Sequence, residues 1–424
     1  METPARSPSR PTPPGGARHA RSLEHLHRAL AVIPGGHHLS GRTLVDPRSS
    51  PMYFERAKGA RIWDVDGHEY IDFLLAYGAF VLGYADEEVD RAAFAQATRG
   101  NLVSMNHPLH IRFIEALLER FPAADMGVFL KTGSEATTAA LRIARRATGR
   151  RMVARCGYHG WHDWCLPQDD SVASGLDSQI LEFRGDDPAT LEALFAGHPG
   201  EIAAVILAPE MVMPLTAPPL LALLEATRAH GAVFVLDEVK TAFRTSPGSI
   251  QTRLGLEPDL TTLSKAVGNG WPVAAVIGKR AVMEHAAGMH LSATYHGETS
   301  AMAAALETMR ILERDQVADH VWKMGARLID GLNALVRTHD APAVAYGEPL
   351  PPMPFLRFRH PDPALIDAVR ATFYTEVLSR GVLLHPRHLW FVSRDHQPAD
   401  IDRALEACDQ GFRAARRKHP QAFG

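Results

Sequence analysis

Two charged residues, each at the end of an apolar run, are the first candidates for chemistry. Ala232–Leu236 (AVFVL) leads into Asp237, and Leu260–Leu263 (LTTL) leads into Ser264-Lys265 and a turn containing Gly268 and Gly270. Both runs have the length and β-branched content of buried strands. In an open α/β sheet, ligands sit at the carboxyl ends of the strands. The sequence therefore brings one carboxylate and one amine, 28 residues apart, to the same sheet edge. Such an amine can condense with a carbonyl, and such an acid can keep a ring nitrogen protonated. Taken singly, Asp237 also reads as a helix N-cap and Lys265 as a solvated surface charge.

Pyridoxal phosphate needs that pair, together with a phosphate site and an aromatic to stack on its ring. Gly127–Leu130 reads as a short strand, followed by Lys131-Thr132-Gly133-Ser134 and a helix from Glu135 to about Ala147. Free amides, hydroxyls and the positive end of the helix dipole then converge on one spot, as an anion site requires. Ser134 alone reads equally as an N-cap. The strand Met152–Arg155 runs into Cys156-Gly157-Tyr158-His159-Gly160-Trp161-His162, which offers an aromatic after a strand end. His159, His162, Asp163 and Cys165 crowd this loop but match no familiar zinc spacing, so no metal is expected there.

The elements that must position these residues can be read from the pattern. The chain has 424 residues, 46% hydrophobic and 22% charged, enough for a large and a small domain with sizeable cores. A formal net charge of −3 gives no electrostatic case for nucleic acid or an anionic membrane. Three cysteines without a CxxC pair point to a reducing compartment, and no apolar run approaches a membrane span. Strands near 128, 152, 205, 234, 262 and 275 with helices between several of them predict a mostly parallel sheet. The segment RIWDVDGHEYID (61–72) predicts a hairpin around Asp66-Gly67. Residues 1–21, rich in Pro, Ser, Arg and Gly, read as a disordered tail. Leu23, Leu26, Leu30 and Ile33 then recur at helical spacing, and residues 166–180 read as a polar loop. Beyond Ser300 the pattern gives helices at 300–314, 316–338 and 363–380, a Pro-rich link at 341–354, a strand at 355–359, strand-like segments at 382–393 and a last helix from about 398.

In this order, Thr132-Gly133-Ser134-Glu135-Ala136, Tyr158-His159-Gly160, DEVKTAFR from Asp237, LSKAVGNGWP around Lys265 and TYHGETSAMAAA from Thr294 resemble the class III pyridoxal-phosphate aminotransferases, and in particular their glutamate-1-semialdehyde aminomutase-like branch. The resemblance runs from about Ile33 to about Ala407. It implies an α/β enzyme of fold type I, with a large domain (73–310) built on the mostly parallel sheet and a smaller α+β domain formed by 311–424 with a contribution from 22–72. It also implies a cytoplasmic homodimer with a shared active site, acting on a small-molecule amino donor and a carbonyl acceptor. Lys265 would be the Schiff-base lysine and Asp237 the partner of the pyridine nitrogen. Val239 and Tyr158 would pack on the two ring faces, beside His159. Gly133 and Ser134 would bind the phosphate, with Thr294 reaching it from the neighbouring subunit. Arg42 falls where related enzymes bind a substrate carboxylate, Tyr77 would wall the same region, and Arg387 and Arg394 rank behind Arg42.

Three departures from that pattern bear on the reaction. Ala208-Pro209 stands where Glu-Pro is usual, with Glu210 two positions late. The lid after Gly160 is shorter than in the aminomutases, and GVLLHPRHLWFVS (381–393) lacks their Phe-Glu segment. An aminomutase must retain its intermediate behind a closed lid, so transamination with release of a keto product is expected. An aminomutase or racemase on the same fold, and a non-catalytic binding protein, are the alternatives.

Overall fold

The structure is a computed structural model that describes residues 18–36, 53–166, 172, 179–212, 215–245, 248–347 and 350–423. Its centre is a seven-stranded sheet with the spatial order Met126–Leu130, Ala274–Gly278, Leu260–Leu263, Val233–Asp237, Ile202–Leu207, Met152–Cys156, Ile180–Glu182. The last five strands are parallel, whereas Ala274–Gly278 runs antiparallel to both its neighbours. Chain length explains the exception. Only residues 264–273 separate Leu263 from Ala274, fewer than a parallel crossover requires, so the chain must turn back on itself.

Ile202–Leu207, Val233–Asp237 and Ala274–Gly278 are buried along their whole length, as strands covered on both faces must be. The helix Gly133–Thr148 lies on one face with Ala136, Ala139, Ala140, Ile143 and Ala144 fully buried against Val153, Ala204, Ile206 and Val235. Its run of alanines lets the helix approach the sheet closely. On the other face, Leu220, Leu223 and Leu224 of the helix Ala217–Ala229 pack with Val205, Leu207, Phe234 and Leu236.

The hairpin predicted at 61–72 is present as Arg61–Asp64 and Glu69–Asp72. Its second strand pairs in parallel with Val382–Leu383, which ties the N-terminal segment to the C-terminal one. The rest of 382–393 forms no ladder. Instead Trp390, Phe391, Val392 and Arg394 donate their amides to Pro354, Phe73, Pro352 and Val81, four carbonyls from different segments. Strands Ile180–Glu182 and Ala343–Tyr346 arise where the sequence suggested a loop and a link. The helix Ala20–Leu30 starts inside the segment read as a tail, and residues 1–17 lie outside the described residues. No helix among the described residues is long and apolar enough to cross a membrane.

Asn269 locks the turn after Lys265 to the loop above it. Its Oδ1 accepts from the Val81 and Leu82 amides at 3.0 and 2.9 Å, and its Nδ2 donates to the Gly83 carbonyl at 3.0 Å. Asn269 is itself buried and left-handed at φ 44, a conformation asparagine tolerates better than most residues. Asn269→Ala leaves three buried backbone groups without partners and should destabilise the protein by about 2–4 kcal/mol. A lower midpoint of guanidinium unfolding would register it.

Candidate functional site

Every sheet strand named in the sequence reading that points its carboxyl end to one edge contributes to a single cluster. Asp237, at the end of Val233–Asp237, is 4% exposed. Its Oδ2 lies 2.7 Å from His159 Nδ1, and its Oδ1 accepts from Thr262 Oγ1 at 2.8 Å and from the Val239 amide at 3.2 Å. Burial alone would raise its proton affinity, but the His159 imidazole, the Thr262 hydroxyl and the Val239 amide outweigh burial and hold the carboxyl below its ordinary range. An ionised Asp237 accepts from His159, which places a proton on Nδ1. The bland reading of Asp237 as a helix cap does not apply.

His159 is held in turn. Its carbonyl accepts from Thr137 Oγ1 at 2.7 Å and its ring stacks on Trp164 with centroids 6.1 Å apart, while its buried Nε2 has no hydrogen-bond partner among the described residues. The neighbours that raised a metal question have other tasks. His162 Nδ1 meets Thr138 Oγ1 at 2.8 Å, and the Cys165 carbonyl accepts from Arg155.

The strand Met126–Leu130 delivers the phosphate candidates. Thr132, not Ser134, caps the helix: Thr132 Oγ1 accepts from the Glu135 amide at 3.2 Å, and the Glu135 carboxylate accepts from the Thr132 amide at 2.8 Å. That frees the Ser134 hydroxyl, which accepts from the Trp161 amide at 3.3 Å. Gly160 passes so close to Ser134 that a Cβ there would collide with its Oγ, and Gly160 has φ +123. A Cβ on Gly133 would lie 3.0 Å from Val239 Cγ1 and 3.7 Å from Ser264 Cβ. The glycine-lined helix start, the Val239 side chain and the turn that begins at Ser264 thus lie against one another.

Lys265, next in the chain, has a left-handed conformation, φ 52, which costs a non-glycine residue about 1–2 kcal/mol. Burial, then the like charge of Lys240, pushes its amine down to about 7, against the opposing pull of Glu210 and Asp237. The displaced acid has a role that the sequence did not reveal. Glu210 meets Lys240 as a close, buried ion pair. Burial opposes the Lys240 charge, but Glu210 outweighs it and holds that amine above its ordinary range.

Two members of the DEVKTAFR stretch are scaffolding. Glu238 is wholly buried and accepts from the Ile250 and Gln251 amides at 3.0 and 3.1 Å and from Thr241 Oγ1 at 3.0 Å. Arg244, also wholly buried, donates to the Gly78 carbonyl and, at 3.1 Å, to that of Lys240. Burial pushes its guanidinium down to about 9.

Tyr77 lies on a turn of unusual hand. Leu75, Ala76, Tyr77 and Gly78 have φ of 48, 49, 59 and 83, one left-handed turn in which the amides of Leu74 and Leu75 are held by Asp72 at 2.6 and 3.2 Å. Gly78 is required there, because a Cβ would run into the Phe391 ring. The Tyr77 ring sits 5.0 Å from that of His388 and 6.0 Å from that of His385. Arg394 is withdrawn from the carboxylate candidates, since Asp86, Asp395 and Asp315 take its guanidinium at 2.8, 3.2 and 3.5 Å. Arg387 is exposed. Tyr158 is 54% exposed and Thr294 is exposed, so neither is enclosed by the single chain. Arg42 and most of the lid, residues 167–171 and 173–178, lie outside the described residues.

The residues fit pyridoxal phosphate: a buried ionised acid for the ring nitrogen, a buried lysine with a lowered amine, and a helix start where glycines and a free hydroxyl leave room for an anion. The comparisons agree. The family model of class III aminotransferases matches residues 44–344. The 3-aminobutyryl-CoA aminotransferase of Cloacimonas acidaminovorans is 33% identical over 398 residues, covering 92% of this chain and 95% of the relative. The glutamate-1-semialdehyde 2,1-aminomutase of Chloroflexus aggregans is 36% identical over 432 residues, covering 93% and 98%. The solved structure of the FumI protein of Sphingopyxis sp. MTA144, with bound PLP, superposes with a TM-score of 0.87 at 31% identity, covering 95% of this chain and 100% of that one. With a fold type I sheet carrying an acid and a lysine at its carboxyl edge, this chain belongs to the class III aminotransferases and is a pyridoxal-phosphate-dependent aminotransferase.

Proposed function

We propose that Lys265 is the residue that carries the cofactor and moves the proton, that Asp237 with His159 fixes the ring nitrogen, and that the overall reaction is amino-group exchange between two small molecules rather than migration within one. The observation that carries the reading is the buried Lys265 amine, lowered to about 7 beside an acid that stays ionised. Near neutral pH a large share of that amine is unprotonated, so its Nζ can attack a carbonyl and can accept a proton from the substrate's amine-bearing carbon. Pyridoxal phosphate supplies a cationic ring that takes up the electron pair left on that carbon. Asp237 maintains the ring's positive charge by staying ionised, and His159 maintains Asp237. Gly133 and Ser134 hold the phosphate at the helix start, with Val239 and Tyr158 against the ring. The resemblance assigns the substrate carboxylate to Arg42 and the wall of the same region to Tyr77.

Two supports favour exchange over migration: the short lid in the sequence and the C. acidaminovorans relative, whose name is that of an aminotransferase. The aminomutase reading has the C. aggregans relative on its side. Incubation with α-amino, β-amino and carboxylate-free amine donors separates them. Stoichiometric keto or aldehyde product from one donor supports exchange, whereas isomerised substrate without released product supports migration.

The reading extends to a homodimer in a reducing, cytoplasmic setting. Val32, Met105, Trp161 and Tyr295 are 79, 77, 71 and 64% exposed, and Tyr295 adjoins Thr294. A second copy would cover them and bring its Thr294 to the phosphate. Cys156, Cys165 and Cys408 are buried free thiols, as a reducing compartment permits. The small domain would comprise 311–424 with the 22–72 segment, around the large domain at 73–310.

Three outcomes are expected. Lys265→Ala should abolish turnover and the visible band that the lysine-linked cofactor gives the purified protein, and an unchanged spectrum would refute the assignment of Lys265. In cofactor-free protein, labelling of Lys265 by an amine-directed reagent, followed by mass spectrometry, should half-rise near pH 7. Lys240→Met removes the like charge, so that midpoint should move up. In sedimentation velocity the enzyme should run as a dimer at concentrations where it is active, and Tyr295→Glu should shift it toward monomer. A fully active monomer would sink the shared-site reading.

A further inference from the structure

A second cluster of chemistry-bearing side chains lies apart from the cofactor residues, where the helix Ala20–Leu30 meets the hairpin Arg61–Asp64/Glu69–Asp72. The helix is not capped by its own N-cap residue. His19 occupies that position and makes no capping bond, while Asp66 from the hairpin turn accepts from the Arg21 and Ser22 amides at 2.7 and 3.0 Å and from Ser22 Oγ at 2.8 Å. This borrowed cap presses His19, 6% exposed, onto the hairpin.

There His19 Nδ1 lies 3.4 Å from Asp64 Oδ2, and His68 Nδ1 lies 3.0 Å from the same oxygen. All three ligand atoms are within 4.8 Å of one another. Asp64 is completely buried, with Oδ1 accepting from the His68 and Asp66 amides at 2.7 and 3.1 Å and Oδ2 from Tyr70 OH at 3.0 Å. A hydrogen-bonded His–Asp pair accounts for His68. It does not account for His19, whose buried Nδ1 has no hydrogen bond among the described residues, an arrangement that native interiors avoid.

A metal ion accounts for both. Ligand bonds of roughly 2.0–2.1 Å in a tetrahedron separate the ligand atoms by about 3.3–3.4 Å. The two nitrogen–oxygen separations here, 3.4 and 3.0 Å, need only small adjustment to reach that edge length. We propose that His19 Nδ1, His68 Nδ1 and Asp64 Oδ2 form a binding site for a divalent transition metal of the zinc type, with water as the fourth ligand, that fastens the N-terminal helix to the hairpin.

Two imidazoles and one carboxylate select zinc-like ions over magnesium or calcium, which prefer all-oxygen sites. Tyr70 OH holds the ligating carboxylate in place, as outer-shell donors do in metal sites. His68, with its side chain 30% exposed, provides the way in, and the ion would displace the proton it shares with Asp64.

The test is a titration of the full-length holoenzyme, stripped with a chelator, with Co²⁺ as a visible probe read outside the cofactor's absorption. One Co²⁺ per chain with intense tetrahedral bands, displaced by Zn²⁺, is expected. Affinity should fall by at least about tenfold in His19→Gln and in His68→Gln, and stay unchanged in His198→Gln, a surface control. Zn²⁺ should raise the thermal midpoint of the wild type but not of His68→Gln, a substitution at a half-exposed hairpin position that does not depend on the buried His19 for folding. Cobalt binding that is equally strong in both variants, or no stronger than that of surface histidines, would overturn the proposal.

Discussion

An ionised carboxylate inside the protein is the constraint around which the cofactor site is built. Taken alone, Asp237 at that depth would take up a proton, and a neutral acid could not keep a pyridine ring cationic. His159 Nδ1, Thr262 Oγ1 and the Val239 amide prevent this, and each comes from a different position at the sheet edge. His159 depends on Thr137 and Trp164 of the adjoining helix and loop. Thr262 depends on the register between Leu260–Leu263 and Val233–Asp237, where Asp237 is directly paired with it. The charge state of one carboxylate is therefore a property of four neighbouring chain segments.

The same layout makes the lysine the complement of the acid. Asp237 is surrounded by hydrogen-bond donors and stays charged, whereas the charged groups around Lys265 act without direct contact, and burial prevails. Around them, buried polar residues that do no chemistry carry the frame. Glu238 ties the strand end to the helix Ile250–Leu254, Arg244 stitches Gly78 to Lys240, and Asn269 anchors the turn after Lys265 to residues 81–83. Removing any of these would leave the chemical groups in the chain but without their aim.

Asp237, Lys265 and the Gly133-Ser134 turn were legible in the sequence because each is marked locally, by an apolar run ending in a charge or by a strand–turn–helix signature. The hairpin at 61–72 was legible for the same reason. What was hidden depends on partners distant in the chain. Nothing near Glu210 announces Lys240, and nothing near Arg394 announces Asp86, yet these pairings decide what each side chain can do. The cap of the helix Gly133–Thr148 was misplaced by two residues because Thr132 and Ser134 are both good caps, and only the reciprocal bond from Glu135 chooses between them. Residues 382–393 look like strand because they are apolar and β-branched. They are apolar because they are buried, and beyond the short pairing of Val382–Leu383 the amides of Trp390, Phe391 and Val392 go to three separate carbonyls rather than to a ladder.

The left-handed turn at Leu75–Gly78 has a consequence for how this protein could change over generations. Three of its four residues carry side chains that disfavour this hand by about 1–2 kcal/mol each. Drift toward glycine at the exposed Ala76 would relax the backbone and make the fold hardier, while letting the Tyr77 ring swing away from His385 and His388. Selection for heat tolerance and selection for the proposed role of Tyr77 would thus pull on the same turn in opposite directions.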